Sequence, residues 1–106
     1  MITYEDFKKL ELKCAKIVEV KEHPQADRLY IVTIDLGLEK KDIVAGIRNF
    51  YKPEELKGKN VVVVNNLEPA VIRGVESKGM LLAASEGGAL SIITLDRDMP
   101  PGAGIK

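Results

Sequence analysis

The stretch Lys59-Asn60-Val61-Val62-Val63-Val64-Asn65-Asn66 sets four β-branched residues in a row between polar ends. Four consecutive valines favour extended backbone, and with no polar position among them both faces of the strand must be covered. In a short chain such a strand suits the wall of a small barrel that closes under a helix. A one-turn helix stands just before it. Pro53-Glu54-Glu55-Leu56 puts proline at the first helical position and acids near the positive end, and Gly58 closes it.

Toward the N-terminus, Leu29 to Leu36 alternates: Tyr30, Val32, Ile34 and Leu36 face one way, Ile31, Thr33 and Asp35 the other. Gly37 turns the chain into a third strand around Asp42 to Ile47, giving a hairpin. Leu12 to Val20 is also rich in β-formers. Lys16 interrupts its apolar even positions while Ala15 and Ile17 take odd ones, which predicts a long strand that is bulged or strongly curved. His23-Pro24 ends it, with His23 read as a loop residue beside proline. Thr3 followed by Asp6 predicts a capped N-terminal helix with Tyr4, Phe7 and Leu10 on one face, packed as a lid on the barrel. Beyond the valines, Asn65 and Asn66 end the strand, Met80 to Ala84 forms a fifth, Gly87-Gly88 turns, and Leu90 to Leu95 forms a sixth.

At 106 residues, 45% hydrophobic and 30% charged, the chain has the length and balance of one globular domain that folds without disulfides or a structural metal. Residues 1–106 are therefore expected to form a single all-β domain. Strand count and order fit a five-stranded Greek-key barrel of the oligonucleotide/oligosaccharide-binding (OB) type, with a short N-terminal helix and an extra C-terminal hairpin. Fold alone does not give function.

Sixteen basic and sixteen acidic side chains leave no net charge, so a nucleic-acid partner has to be argued from local patches. Cys14 has no partner for a bridge and reads as a half-buried strand residue in a reducing compartment. No apolar run approaches the roughly 20 residues of a membrane span. Glu5 and Asp6 stand where a signal peptide would be basic, which points to the cytoplasm. One histidine, one cysteine, no glycine-rich phosphate loop and no pair at metal spacing leave nothing to carry catalysis, a cofactor or a metal. The acid pairs Glu5-Asp6 and Glu54-Glu55 lie in first helical turns, where the dipole accounts for them. The chain reads as a binder, not an enzyme.

The segment from Asn65 to Met80, Asn-Asn-Leu-Glu-Pro-Ala-Val-Ile-Arg-Gly-Val-Glu-Ser-Lys-Gly-Met, is unlike generic loop sequence. Asparagine amides, Arg73, Ser77 and Lys78 offer donors for phosphate and ribose hydroxyls. They equally suit a structural turn, with Gly74 and Gly79 in unusual backbone angles and Asn65 bonding local amides. Together with His23-Pro24-Gln25-Ala26-Asp27-Arg28-Leu29-Tyr30, Val44-Ala45-Gly46-Ile47 and Tyr51-Lys52-Pro53-Glu54-Glu55-Leu56, this segment resembles the OB-type tRNA-binding domain. That family is found at the C-terminus of bacterial methionyl-tRNA synthetases, as their separate beta subunit and as stand-alone dimeric tRNA-binding proteins. The resemblance covers essentially the whole chain.

It implies a structure-specific, largely sequence-independent tRNA-binding protein, of the kind that serves a methionyl-tRNA synthetase catalytic subunit in trans. It also implies a homodimer, for which Tyr4, Phe7, Leu10 and the apolar tail through Ile105 offer a seam. The expected RNA contacts are Arg28, Arg48, Asn65, Arg73, Ser77, Lys78 and Met80. Arg28 equally suits pairing with Asp27, Arg48 a rim position, and Met80 the core. Phe7, Phe50, Tyr4, Tyr30 and Tyr51 are the only aromatics, few for a platform that stacks unpaired bases, which favours reading backbone shape. Glu68, Ala70, Val71 and Asn49 stand where relatives are often basic. A dimeric OB-fold chaperone or protein-assembly module is the alternative from another class.

Overall fold

A computed structural model describes all 106 residues. Its long first strand, β1 (Leu12–Glu22), is shared by two neighbours. Its first half pairs with β4 (Asn60–Val64), from Leu12 opposite Val64 to Lys16 opposite Asn60. Its second half pairs with β2 (Tyr30–Asp35), and the register slips between Ile17 and Glu19. That slip is the bulge expected where Lys16 breaks the alternation. It turns the strand so that one chain serves two sides of the barrel.

β3 (Lys40–Ala45) pairs with β2 in an antiparallel hairpin, and the one-turn helix α2 (Pro53–Leu56) follows. Leu56 is fully buried among the barrel residues, and Gly58 N–H and Ile17 N–H tie the start of β4 to β1. The sheet runs β3-β2-β1-β4 and ends on β7 (Met80–Leu81). Closure comes from side-chain and loop bonds. Lys78 N–H donates to the Asp42 carbonyl at 3.1 Å, and Val44 N–H donates to Ser77 Oγ at 2.9 Å. The Ser77 hydroxyl in turn donates to the Gly79 carbonyl at 3.0 Å. Gly79 lies at φ 154°, and a methyl group there would stand 3.0 Å from the Val64 carbonyl oxygen, so glycine alone fits the entry of β7. The result is a nearly closed, five-stranded antiparallel barrel of the OB type.

The alternating positions of β2 fill its interior with Val32 and Ile34, joined by Ile17, Ile43, Val61 and Val63. Val62 and Val64 point the other way and are also buried, as four unbroken valines require. Cys14 is wholly buried rather than half-buried. The tail runs back along β1, and the thiol donates to the Pro100 carbonyl.

Three further sequence expectations need correction. The helix α1 (Tyr4–Lys8) has its capping box, Thr3 with Asp6, but it is no lid: none of its residues is buried, and Tyr4 and Leu10 are exposed. Asn66 bridges the Lys9 carbonyl and Glu11 N–H, holding the exit of α1 beside the end of β4. The stretch before Met80 contains a further hairpin, β5 (Ala70–Ile72) with β6 (Val75–Ser77). The fifth strand stops at Leu81, and the extra C-terminal hairpin is β8 (Ala83–Glu86) with β9 (Ala89–Ile92), turned at Gly87-Gly88.

Candidate nucleic-acid interface

Two loops distant in sequence meet on one rim of the barrel. Residues 23–29 join β1 to β2, and Arg73-Gly74 form the tip of the β5–β6 hairpin. Both tip residues have positive φ, 52° and 88°, as a two-residue hairpin turn of the primed type demands. Glycine accepts that backbone freely; Arg73 is the one non-glycine residue in the chain that adopts it. Its side chain crosses to the other loop, where Nη2 donates to the Gln25 carbonyl at 3.1 Å.

His23, read from sequence as a loop residue, is only 3% exposed and holds the two loops from beneath. Gln25 N–H donates to its Nδ1 at 3.0 Å, so the ring proton belongs on Nε2, which donates to the Ile72 carbonyl at 3.0 Å. Arg48 braces the same loop from behind. Its Nη1 donates to the Ala26 carbonyl at 3.3 Å, and its Nη2 pairs with Glu22 Oε2 at 2.7 Å. The Arg28 carbonyl accepts from Arg48 N–H, while its guanidinium has neither hydrogen bond nor ion pair and stands exposed beside a groove of about 370 Å³ that Arg73 also lines.

A second groove, about 570 Å³, runs between β3 and the hairpin and is lined by Lys40, Lys41, Lys78, Gly74 and Glu76 among others. Lys78 lies 3.7 Å from Glu76 with both side chains about half exposed. Such a pair is worth little in water and leaves the ammonium available to a phosphate. Lys41 Nζ donates to the Asn65 carbonyl at 3.1 Å. Lys40 and Lys41 escaped the sequence reading. Their one signal was adjacency, since only Lys8-Lys9 otherwise places two basic residues side by side.

The rim thus brings together Arg28, Arg73 and Lys78, adds Lys40 and Lys41, and keeps Arg48 behind the first loop. The other expected contacts lie differently. Ser77 is buried in the barrel seam with its hydroxyl bonded as donor and acceptor. Asn65 donates from Nδ2 to Glu11 Oε1 at 2.7 Å, while its Oδ1 is buried without a partner. Met80 is 45% exposed and borders an apolar groove of about 330 Å³ lined by Val44, Ile47, Leu81 and Leu90. No three His, Cys, Asp or Glu side chains cluster to hold a metal ion, and no helix is long and apolar enough to cross a membrane.

A five-stranded barrel with a row of cations beside β3 places the chain in the OB class, whose loops and third-strand side commonly meet nucleic acid. The particular family follows from the sequence. The model described as "Putative tRNA binding domain" matches residues 12–104, and the chain belongs to that family. It is a binding domain, not a catalytic one. The methionine–tRNA ligase of Pyrococcus horikoshii is 51% identical over 105 residues, which cover 99% of this chain and 14% of that protein. That of Thermotoga maritima is 51% identical over 102 residues, 96% of this chain and 16% of that protein. The chain therefore spans only a small part of these relatives. Among solved structures, a MetRS-related protein from Pyrococcus horikoshii superposes with a TM-score of 0.93 at 33% identity, covering 100% of this chain and 98% of that one. The chaperone CsaA from Bacillus anthracis gives 0.90 at 30% identity, with 100% and 99% covered.

Proposed function

We propose that this chain binds folded tRNA through the rim around the β5–β6 hairpin, reading backbone shape with little sequence preference. One observation carries the reading: in a member of a tRNA-binding family, Arg28, Arg73, Lys78, Lys40 and Lys41 line two grooves that meet at one hairpin. These cations suit phosphates, and Arg48 holds the loop on which Arg28 stands. Ser77 and Asn65 enter as supports of that surface, and Met80 as its apolar border. Phe50 and, on α1, Tyr4 are the exposed aromatics, since Tyr30 donates to the Tyr51 carbonyl and Tyr51 Oη accepts from Ile92 N–H. That scarcity favours shape over stacking.

The tRNA so bound serves a methionyl-tRNA synthetase in the cytoplasm, with the chain acting in trans as its beta subunit and doing no chemistry itself. Holding tRNA beside a catalytic partner raises its effective concentration there. Two copies pair through α1 and the tail: Tyr4 and Leu10 are exposed with Met1 and Ile2, and Phe7 and Ile105 are half-buried. A self-complementary patch of this kind suits a two-fold axis. Sedimentation at micromolar concentration should give the dimer, and a monomer would remove the pairing.

A second reading has its own support. The apolar groove beside Met80 and the likeness to the chaperone CsaA suit an OB-fold chaperone or assembly module that binds polypeptide. Affinities for folded tRNA, unstructured RNA and an unfolded client protein separate the two. Preference for folded tRNA is expected. Equal or tighter client binding would favour the chaperone class.

A further inference from the structure

Arg73 and the loop carrying Arg28 are joined by a closed ring of hydrogen bonds. Ile72 and His23, 49 residues apart in the chain, meet through Nε2–H and a carbonyl, and Arg73 returns to the Gln25 carbonyl. Gln25 N–H then closes the ring on His23 Nδ1. One imidazole thus uses both nitrogens, and one guanidinium holds the far side.

We infer that His23 is a positioning residue for the tRNA-binding rim: its bond to the Ile72 carbonyl sets the Arg73 turn against the Arg28 loop. This rests on the tRNA-binding reading above. Ile72 is the last residue of β5, and the residue after it sits at φ 52°, a backbone that a side chain resists unless its surroundings hold it. The ring holds it on both sides, through the carbonyl before Arg73 and through the Arg73 side chain. The barrel fastens only the base of the hairpin, through Ser77 and Lys78 to β3, and the tip is not paired to it, because β5 and β6 pair with each other in a two-stranded sheet apart from the five-stranded one. With the Nε2 link gone, the hairpin tip is free to relax, and Arg73 and Arg28 lose their fixed separation while the barrel core is untouched.

Two amide substitutions divide the two roles of the ring. His23→Asn keeps an acceptor where Nδ1 receives Gln25 N–H, a common local turn, but is too short to reach Ile72. His23→Gln sets an N–H donor where Nε2 stands and restores the link across the loops. Affinity for folded tRNA and the melting midpoint are measured for both variants, alone and combined with Arg73→Ala.

His23→Gln should bind close to the parent, whereas His23→Asn should lose about tenfold, the cost of ordering the loosened hairpin tip when tRNA binds. Melting midpoints should differ little. Added to Arg73→Ala, His23→Asn should cost almost nothing more, because both changes break one ring. Binding by His23→Asn at the parent level, or an equal loss in His23→Gln, would overturn the positioning role. Should His23→Asn not fold, His23→Gln alone decides by the same rule. Failure of the parent itself to bind folded tRNA would remove the reading on which the inference rests.

Discussion

In β4, Val61, Val62, Val63 and Val64 are all buried. A few residues on, in the β5–β6 hairpin, Val71 is 72% exposed and Ser77 alone is buried. The first region is held by apolar area against neighbours on both faces, the second by single hydrogen bonds: Ser77 to β3, His23 to Ile72, Arg73 to Gln25. Apolar packing is shared among many individually weak contacts. A lone polar link is directional and fails at once when a partner is removed. The difference teaches where to look for function: the wall can keep its shape while the hairpin is redirected by one side chain.

Salt should separate the two regions most widely. If each protomer makes about four phosphate contacts, tRNA affinity should fall roughly a hundredfold between 50 and 200 mM salt. Packing of the valine wall responds far less, so the melting midpoint should barely move over the same range. A flat binding curve would make the rim cations solvated bystanders.

Truncations should cut the other way in each region. Val63→Ala should cost about 1 to 3 kcal/mol of folding stability through the cavity it leaves, with tRNA affinity near that of the parent. Arg73→Ala and Lys78→Ala should each weaken tRNA binding by about 1 to 3 kcal/mol with stability nearly unchanged. Denaturant melts and binding isotherms on the same samples check both. Parent-like binding by both charge variants would move the RNA site away from the hairpin, toward Arg28 and Arg48.

The smallest effect belongs to α1, outside both regions. The Thr3 backbone N–H and then the Lys9 ammonium hold the Asp6 carboxyl below its ordinary value of 3.8. A lowered folded value means the capping contribution is complete above the ordinary value and is lost as pH falls through the lowered one. An NMR titration should show Asp6 protonating below 3.8 and α1 fraying with it, while valine-wall and hairpin signals stay put. Protonation at or above the ordinary value would show that the cap does not hold the charge.

How much of this the sequence discloses depends on which force is at work. The valine block, the alternation from Tyr30 to Leu36, the Lys16 break and the Thr3-Asp6 cap all register as patterns, because burial and helix ends act on residue type at fixed spacing. The hairpin at residues 70–77 did not register, since its turn opens on Arg73 where asparagine, aspartate or glycine gives the usual signal. His23 beside proline looks the same whether it faces water or crosses to Ile72. The Ser77 hydroxyl likewise does not disclose from sequence that its partner is Val44 rather than a ribose. Polar links between distant segments carry no period, and those links assemble the candidate site.

The most direct measurement is a map of backbone amide signals of the labelled protein as folded tRNA is added below stoichiometry. Docking on the rim predicts that signals from residues 25–28, 40–41 and 73–78 broaden first, with Val61 to Val64 and α1 little changed. Broadening confined to the apolar groove around Val44, Met80 and Leu90, with those rim signals unmoved, would contradict the account.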